Sequence, residues 1–287
     1  MRWLIMGTQL AVILGALNSR AVGDETIDEI MAQGKTALSK GQIKDALALA
    51  DKAVALDGKQ PRGYFFRALV HESARRHEQA IADYTKVIEL NPKAGEAFDR
   101  RGSEHFKLGH FAESIADFDR FLELKPAEAP GHWRRGISCY YGGRFEDGWK
   151  QFKGYEKVDT NDVENAVWHY LCLARAAGAD TARESMLKIG TDKRVPLMLV
   201  YELFKGKAKP EDVLAAVHQG NPAAQELRNR LFYAHLYLGL YYESLGDKKQ
   251  TLAHMRKAAE DYAFPHYMGD VARVHLALLQ KQSGQGK

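Results

Sequence analysis

Three arginines recur at intervals of 34 residues, at Arg67, Arg101 and Arg135. A row of guanidinium groups on one face could bind an acidic ligand, because each can donate paired hydrogen bonds to a carboxylate or phosphate. However, aspartates follow two of the arginines sixteen residues later, at Asp83 and Asp117. A partly buried arginine needs a partner. We therefore expect internal ion pairs rather than an anion-binding surface.

The sequence contains no recognisable catalytic or metal-binding pattern. The 11 histidines are scattered, and none lies in an HExxH motif or beside a CxxC pair. We find no Gly-rich phosphate loop, no GxSxG and no Cys–His–Asn arrangement. The sequence therefore predicts a protein that is not an enzyme, with no metal, no cofactor and no small-molecule substrate.

The interval of the arginines is also the period of a longer pattern. Frames that start at Ile27, Pro61, Gly95 and Ala129 align without insertions. Small residues recur where two helices of one unit would cross, and glycine predominates where a turn would follow the first helix. Place 8 holds Gly34, Ala68, Gly102 and Gly136; place 15 holds Gly41, Arg75, Gly109 and Gly143; place 20 holds Ala46, Ala80, Ser114 and Gly148.

This 34-residue pattern resembles the tetratricopeptide repeat (TPR) superfamily. The resemblance covers residues 27–162 as four tandem units. We expect divergent helical hairpins over residues 163–231, a final repeat over 232–265 and a capping helix over 266–282. The predicted fold is all-α, a superhelical solenoid of antiparallel helix pairs whose open apolar end the last helix covers.

In TPR proteins the first helix of each unit usually lines a concave wall that holds a partner. The resemblance therefore implies a protein or peptide partner and a groove that is rich in aromatic residues. Alternatively, Phe65, Phe106 and Tyr140 pack between repeats and expose little surface. The lysine and asparagine of the chaperone-type carboxylate clamp are absent. The candidate partner-binding residues are Arg62, Phe65, Asp99, Ser103, Phe106, Trp133, Tyr140 and Tyr141.

The first residues and the net charge suggest where the chain works. Residues 1–21 combine Arg2, an apolar run and a small-residue cleavage site, which predicts a secretory signal peptide. An uncleaved N-terminal anchor is the alternative. No cysteine precedes Cys139, so we expect export to the periplasm or medium without an N-terminal lipid anchor. The net charge of +4 is too small to indicate nucleic-acid binding.

Cys139 and Cys172 are the only cysteines. An oxidising compartment would permit a bridge between them. Neighbouring first helices usually lie 8–10 Å apart, whereas a disulfide requires Cα atoms within about 7 Å. We therefore expect two buried free thiols.

The order of the segments also resembles a narrower group, the NlpI-like TPR proteins of the bacterial envelope. The most specific piece is YLGLYYESLGD, residues 237–247, in the final repeat. That group consists of non-enzymatic adaptors that tether peptidoglycan hydrolases and a processing protease. The resemblance implies an envelope scaffold or adaptor, which could form homo-oligomers. A structural subunit of a larger envelope or secretion assembly is the alternative function.

Overall fold

Helices account for all regular structure in residues 26–284, the part of the chain that the computed structural model describes. No strand occurs in this range, which confirms the all-α repeat solenoid. The first eight helices form four hairpins: α1 (Ile27–Ser39) with α2 (Ile43–Leu56), α3 (Pro61–Ser73) with α4 (His77–Leu90), α5 (Gly95–Lys107) with α6 (Phe111–Leu124), and α7 (Trp133–Tyr141) with α8 (Phe145–Tyr155). The signal-peptide prediction concerns residues outside this range.

The fourth hairpin begins later than the repeat frame predicts. The frame starts at Ala129, but residues Pro126–Gly131 form a 3₁₀ turn and α7 begins only at Trp133. Two prolines in this turn lack the N–H groups that a regular α-helix would use. His132 then acts as N-cap, because its Nδ1 accepts a hydrogen bond from the backbone N–H of Arg135 at 3.3 Å.

The remaining helices are less regular. They are α9 (Val163–Ala177), α10 (Ala179–Glu184), α11 (Leu197–Phe204), α12 (Pro210–Ala216), α13 (Ala224–Ser244), α14 (Lys248–Arg256) and α15 (Tyr267–Gly284), with a π-helical turn at Lys257–Asp261 after α14. Helix α13 starts eight residues before the predicted frame at Phe232, since no glycine or proline interrupts residues 224–231. No helix in residues 26–284 is long and apolar enough to cross a membrane.

The turn after each first helix uses the left-handed conformation. Gly41, Gly109 and Gly143 have φ values of 72°, 78° and 74°. Arg75 takes the same place in the second repeat with φ 55°. A side chain in this region costs roughly 1–2 kcal/mol, so the arginine is a costly substitute for glycine here.

The arginine row forms the internal ion pairs that the sequence predicts. Arg67 and Arg101 each donate two hydrogen bonds, of 2.8 and 2.7 Å, to Asp83 and Asp117 respectively. In the fourth repeat Gln151 takes the place of the aspartate. Arg135 instead donates a hydrogen bond of 2.5 Å to Asp119 of the preceding repeat. These arginines are therefore structural and do not form an anion site.

We expect Gly102→Leu to destabilise the third hairpin by roughly 1–3 kcal/mol. A Cβ atom on Gly102 would lie 3.0 Å from the Phe118 ring and 3.1 Å from the carbonyl oxygen of Ser114. A leucine would therefore force apart the crossing of α5 and α6. Urea denaturation measures the loss, and Gly131→Leu is the control, because no atom lies within 4 Å of a Cβ there. Equal midpoints for the two variants would contradict the tight crossing.

Most of the buried apolar residues fall into three clusters. One small cluster includes Ile30 and Phe66, a second includes Tyr84 and Val87, and one large cluster extends from Phe106 to Leu276. Cys139 and Cys172 are buried, free thiols, and burial raises the pKa of Cys139 to about 11.

Candidate binding groove

The concave face of the repeats is partly filled by the chain's own helix α15. Tyr267, its first residue, stacks on Phe106 of α5 with ring centres 5.3 Å apart and meets Trp133 of α7 edge-on at 5.2 Å. Further along, the Tyr141 hydroxyl lies 2.9 Å from Nδ1 of His275. The expected terminal cap therefore lies against the first helices of repeats three and four, as a helix in a groove.

Charged side chains also connect α15 to the repeats. Arg75, the left-handed turn residue, reaches Asp270 with a nitrogen–oxygen distance of 2.9 Å. Asp270 also accepts a hydrogen bond of 2.5 Å from Arg273. Burial alone would raise the pKa of Asp270, but the bonds from Arg273 and Arg75 and the charge of Lys107 lower it. The unfavourable left-handed conformation of Arg75 therefore places its guanidinium where it contacts α15.

Two of the predicted aromatic binding residues are buried in this structure, as is the predicted Ser103, which is 6% exposed. Phe106 is completely buried and Tyr140 is 5% exposed. The Tyr140 hydroxyl donates a hydrogen bond of 2.7 Å to Glu243 of α13. For both residues the packing alternative is correct, because α15 and α13 cover the rings. Trp133 and Tyr141 keep part of their surface exposed, but both contact α15.

Asp99 and Ser103 belong to one polar cluster on the concave face. Asp99 pairs with Arg134 at 2.7 Å and with Nε2 of His132 at 2.8 Å. The Ser103 hydroxyl donates to the Asp99 carbonyl at 3.1 Å and accepts from Arg134 at 3.1 Å. Burial favours a raised pKa for Asp99, but His132 and Arg134 outweigh it and lower that pKa. The cluster is internally satisfied and presents Arg134 at its edge.

The two remaining predicted residues lie nearer the N-terminal end of the groove. Arg62 is exposed and forms an ion pair with Asp28 of the first repeat. Phe65 is half-buried, packs edge-on against Tyr84 at 5.5 Å and lies beneath the Arg100 guanidinium at 5.8 Å. Phe65 is therefore the predicted aromatic residue that keeps exposed surface away from α15.

An open cavity of about 560 Å³ lies between α3, α5, α7 and the start of α15. Its walls carry charges of both signs. Arg100 pairs with Glu72 at 3.2 Å, and Lys107 pairs with Glu104. Arg100 and Arg134 are not among the residues predicted from the sequence, although both occupy place 6 of successive frames, a periodicity that could have revealed them. The charged lining residues are Glu72, Arg75, Glu96, Asp99, Arg100, Glu104, Lys107, Arg134, Asp270 and Arg273.

A second, smaller cavity of about 310 Å³ lies beyond Tyr267, between α7, α9 and α13. It contains Glu164, which accepts hydrogen bonds of 2.5 Å from both Tyr237 and Arg194. Burial raises the pKa of Glu164 to about 6, despite the opposing charge of Arg194. Among residues 26–284, no group of three or more His, Cys, Asp or Glu side chains is arranged to hold a metal ion.

The pKa of Glu164 predicts a pH-dependent contribution to stability. Its folded pKa lies above the usual value of 4.5, so the folded protein binds the proton more tightly between pH 4.5 and 6. Stability from this group is present below pH 4.5 and is lost as the pH rises to about 6. The shift corresponds to about 2 kcal/mol. We expect the unfolding free energy of wild type minus that of Glu164→Gln to fall by this amount between pH 4.5 and 7, by urea denaturation. A constant difference would contradict it.

The comparisons with known proteins identify the repeat. Residues 31–95 and 100–157 match the family model described as tetratricopeptide repeat. A TPR protein of Parabacteroides merdae is 14% identical and aligns with TM-score 0.57 over 88% of this chain and 98% of that chain. The C-terminal part of a TPR-containing protein from Cytophaga hutchinsonii is 16% identical, with TM-score 0.51 over 84% of this chain and 99% of that chain.

MamA from Desulfovibrio magneticus RS-1 is also similar, with 16% identity and TM-score 0.51 over 55% of this chain and 89% of that chain. At these identities the likeness concerns the fold. No curated protein matches this chain in sequence. Residues 31–95 and 100–157 therefore match the tetratricopeptide-repeat family in sequence, and the fold of the chain is similar to that of TPR proteins over most of its length.

Proposed function

We propose that this protein is a non-enzymatic scaffold that binds a segment of a protein partner in the concave groove of its repeats. TPR folds are typical of protein–protein interaction scaffolds. The observation that carries the proposal is the position of α15, because it shows that the concave face has the shape and the aromatic side chains to hold a helix. Helix-in-groove binding is a common mode of peptide recognition.

The N-terminal part of the groove is the place for the partner. The cavity of about 560 Å³ is open there, and α15 forms only its end wall through Tyr267, Asp270 and Arg273. Charges of both signs line this space, and the half-buried Phe65 ring lies against Arg100, one of the lining residues. This combination suits a polar peptide segment with one apolar anchor.

The place of action is the cell envelope in this proposal. The support is the signal-like pattern of residues 1–21 and the order of repeats, which resembles the NlpI-like adaptors. The partner would then be an envelope enzyme such as a hydrolase or a protease, held without any catalysis by the scaffold itself. A second copy of the chain is an alternative occupant that the same experiment detects.

Crosslinking in the native host tests the scaffold. A photoreactive phenylalanine analogue replaces Glu96 in the groove or, as the control, Glu123 on the exposed face of α6. We expect a specific adduct with one partner from position 96 and none from position 123. Adducts from both positions would favour a permanent subunit of an assembly, and adducts from neither would contradict the groove.

Reversing one groove charge should weaken this adduct. Arg100 lines the open cavity and contacts both Glu72 and the Phe65 ring, so Arg100→Glu changes the charge and the aromatic surface together. We expect the crosslink yield from position 96 to fall by about tenfold, a loss typical of a hot spot. Arg120→Glu, on the exposed face of α6, is the matched control. An undiminished yield in Arg100→Glu would place the partner elsewhere.

A further inference from the structure

Four aromatic rings line the smaller cavity. Its volume is about 310 Å³, and its rings come from four helices: Trp133 of α7, Phe152 of α8, Trp168 of α9 and Tyr233 of α13. The Phe152 and Trp168 rings are nearly parallel, with an angle of 20° between their planes. The electron-rich faces of tryptophan and tyrosine rings attract cations, most strongly where water is excluded.

The polar end of this cavity carries more negative than positive charge. Arg194 pairs with Asp162 at 2.8 Å, with Glu164 at 2.5 Å and with Asp192 at 2.6 Å. Asp162 and Glu164 line the cavity with Arg194, whereas Asp192 does not. When all are ionised, these groups together carry two formal negative charges, of which the cavity wall carries one. Among the described residues, no second Lys or Arg lines the cavity. Burial is the main reason that the pKa of Glu164 is raised, and the charge of Asp162 adds to it while Arg194 opposes it.

Two of the residues that line the cavity carry buried polar atoms without a hydrogen-bond partner. Asn165 is 4% exposed; its amide nitrogen donates to the Phe152 carbonyl at 3.0 Å, but its Oδ1 accepts no bond. Trp168 is 1% exposed, and its Nε1 donates none. Buried polar atoms are paired in the great majority of cases. An N–H donor and a carbonyl acceptor are therefore the groups that a ligand could bring.

We propose that this cavity binds an organic cation, an alkylammonium or alkylguanidinium group, between the aromatic rings and the Asp162–Glu164 carboxylates. The cation could be a free amine or the side chain of a lysine or arginine in a peptide. Its N–H groups would supply the donor that Asn165 Oδ1 lacks, and its charge would offset the surplus of carboxylates. An anion would add to the surplus, and a neutral apolar group would leave it unchanged.

This site is separate from the open groove of the scaffold proposal. Tyr267 and His266, at the start of α15, lie between the two cavities, and His266 lines both. A protein without any partner in the open groove would still bind the cation. A failure of the crosslinking experiment therefore leaves the cation site intact, and a failure of cation binding leaves the scaffold proposal intact.

A comparison of probes of similar size and different charge tests the proposal on the wild-type protein. The probes are n-butylguanidinium, n-butylammonium and neutral n-butylurea, titrated by calorimetry and by tryptophan fluorescence, since Trp133 and Trp168 line the cavity. We expect saturable binding of both cations and at least about tenfold weaker binding of butylurea. Equal binding of the three probes, or none, would overturn the proposal.

Variants then locate the site. Glu164→Gln preserves the shape of the side chain and removes its charge, and we expect it to weaken butylguanidinium binding by about tenfold. Glu146→Gln, on an exposed face of α8, is the matched control and should bind like wild type. Thermal melting establishes that both variants are folded. Unchanged affinity in folded Glu164→Gln would overturn the site; if that variant does not fold, the three probes on the wild type still decide.

A further comparison, of one peptide with two reference ligands, distinguishes the source of the cation. Acetyl-Gly-Gly-Lys-Gly-Gly-amide is compared with n-butylammonium and with the same peptide carrying acetyl-lysine. Tighter binding of the lysine peptide than of the free amine identifies a peptide ligand, whose carbonyl groups could also serve the unpartnered Trp168 N–H. Equal binding of the two identifies a free amine. Binding of the acetyl-lysine peptide with undiminished affinity would contradict a cation site.

Discussion

Replacing Ala272 with aspartate is expected to release α15 from the concave face. Ala272 is completely buried in the large core cluster, and an unpaired carboxylate there costs at least about 3 kcal/mol. Release would uncover Phe106, on which Tyr267 stacks, and would expose more of Trp133, which Tyr267 meets edge-on. Two measurements show it: faster tryptic cleavage at Arg273 and Lys281, and a red shift of the tryptophan emission.

The same substitution at Ala277 is the control. Ala277 lies on the exposed side of α15, so the introduced carboxylate remains in water and the helix should remain docked. Cleavage and emission in Ala277→Asp should match wild type. If Ala272→Asp also resists cleavage as the wild type does, the packing of α15 against the repeats does not depend on this face of the helix.

The second large effect concerns the ion pair between Asp117 and Arg101. Asp117 is 5% exposed and receives two hydrogen bonds from the guanidinium. Asp117→Ala would leave Arg101 largely buried with Thr85 as its other hydrogen-bond partner, at 2.9 Å. Removing one partner of a buried ion pair lowers the free energy of unfolding by about 3–5 kcal/mol. We expect the urea midpoint to fall accordingly.

Glu123→Ala, in the same helix α6, provides the comparison. Glu123 pairs with Arg120 at 2.6 Å, but both side chains are exposed, and exposed pairs contribute little to stability. The midpoint should therefore stay close to that of wild type. Similar midpoints for the two variants would mean that the ion pair between Arg101 and Asp117 contributes little to the stability of the repeat.

The local structure of the repeats could be predicted because close contacts within one unit recur with the unit. The tight crossing at Gly102 and the left-handed turns at Gly41, Gly109 and Gly143 depend on residues fewer than thirty positions apart. The family match and the all-α fold agree with that prediction. Arg75 breaks the glycine pattern, and only the three-dimensional structure gives a reason, its contact with Asp270 of α15.

The occupancy of the groove could not be predicted, because it depends on contacts between residues far apart in the chain. Phe106 and Tyr267 are separated by more than 150 positions. An aromatic residue at a groove position has the same periodicity whether a partner or the chain's own last helix covers it. The cation pocket could not be predicted for a similar reason, since Asp162 ends the four regular repeats as the N-cap of α9 and Arg194 comes from a loop beyond them.

The three-way division of the buried core has a consequence for how the protein responds to force or heat. The first two repeats each contain a small buried cluster that involves only neighbouring helices, whereas one large cluster joins residues from Phe106 of α5 to Leu276 of α15. We therefore expect the N-terminal repeats to unfold one hairpin at a time, whereas the C-terminal half should unfold cooperatively in a single transition. A partner bound at the N-terminal repeats would therefore be attached to the part of the protein that deforms most easily.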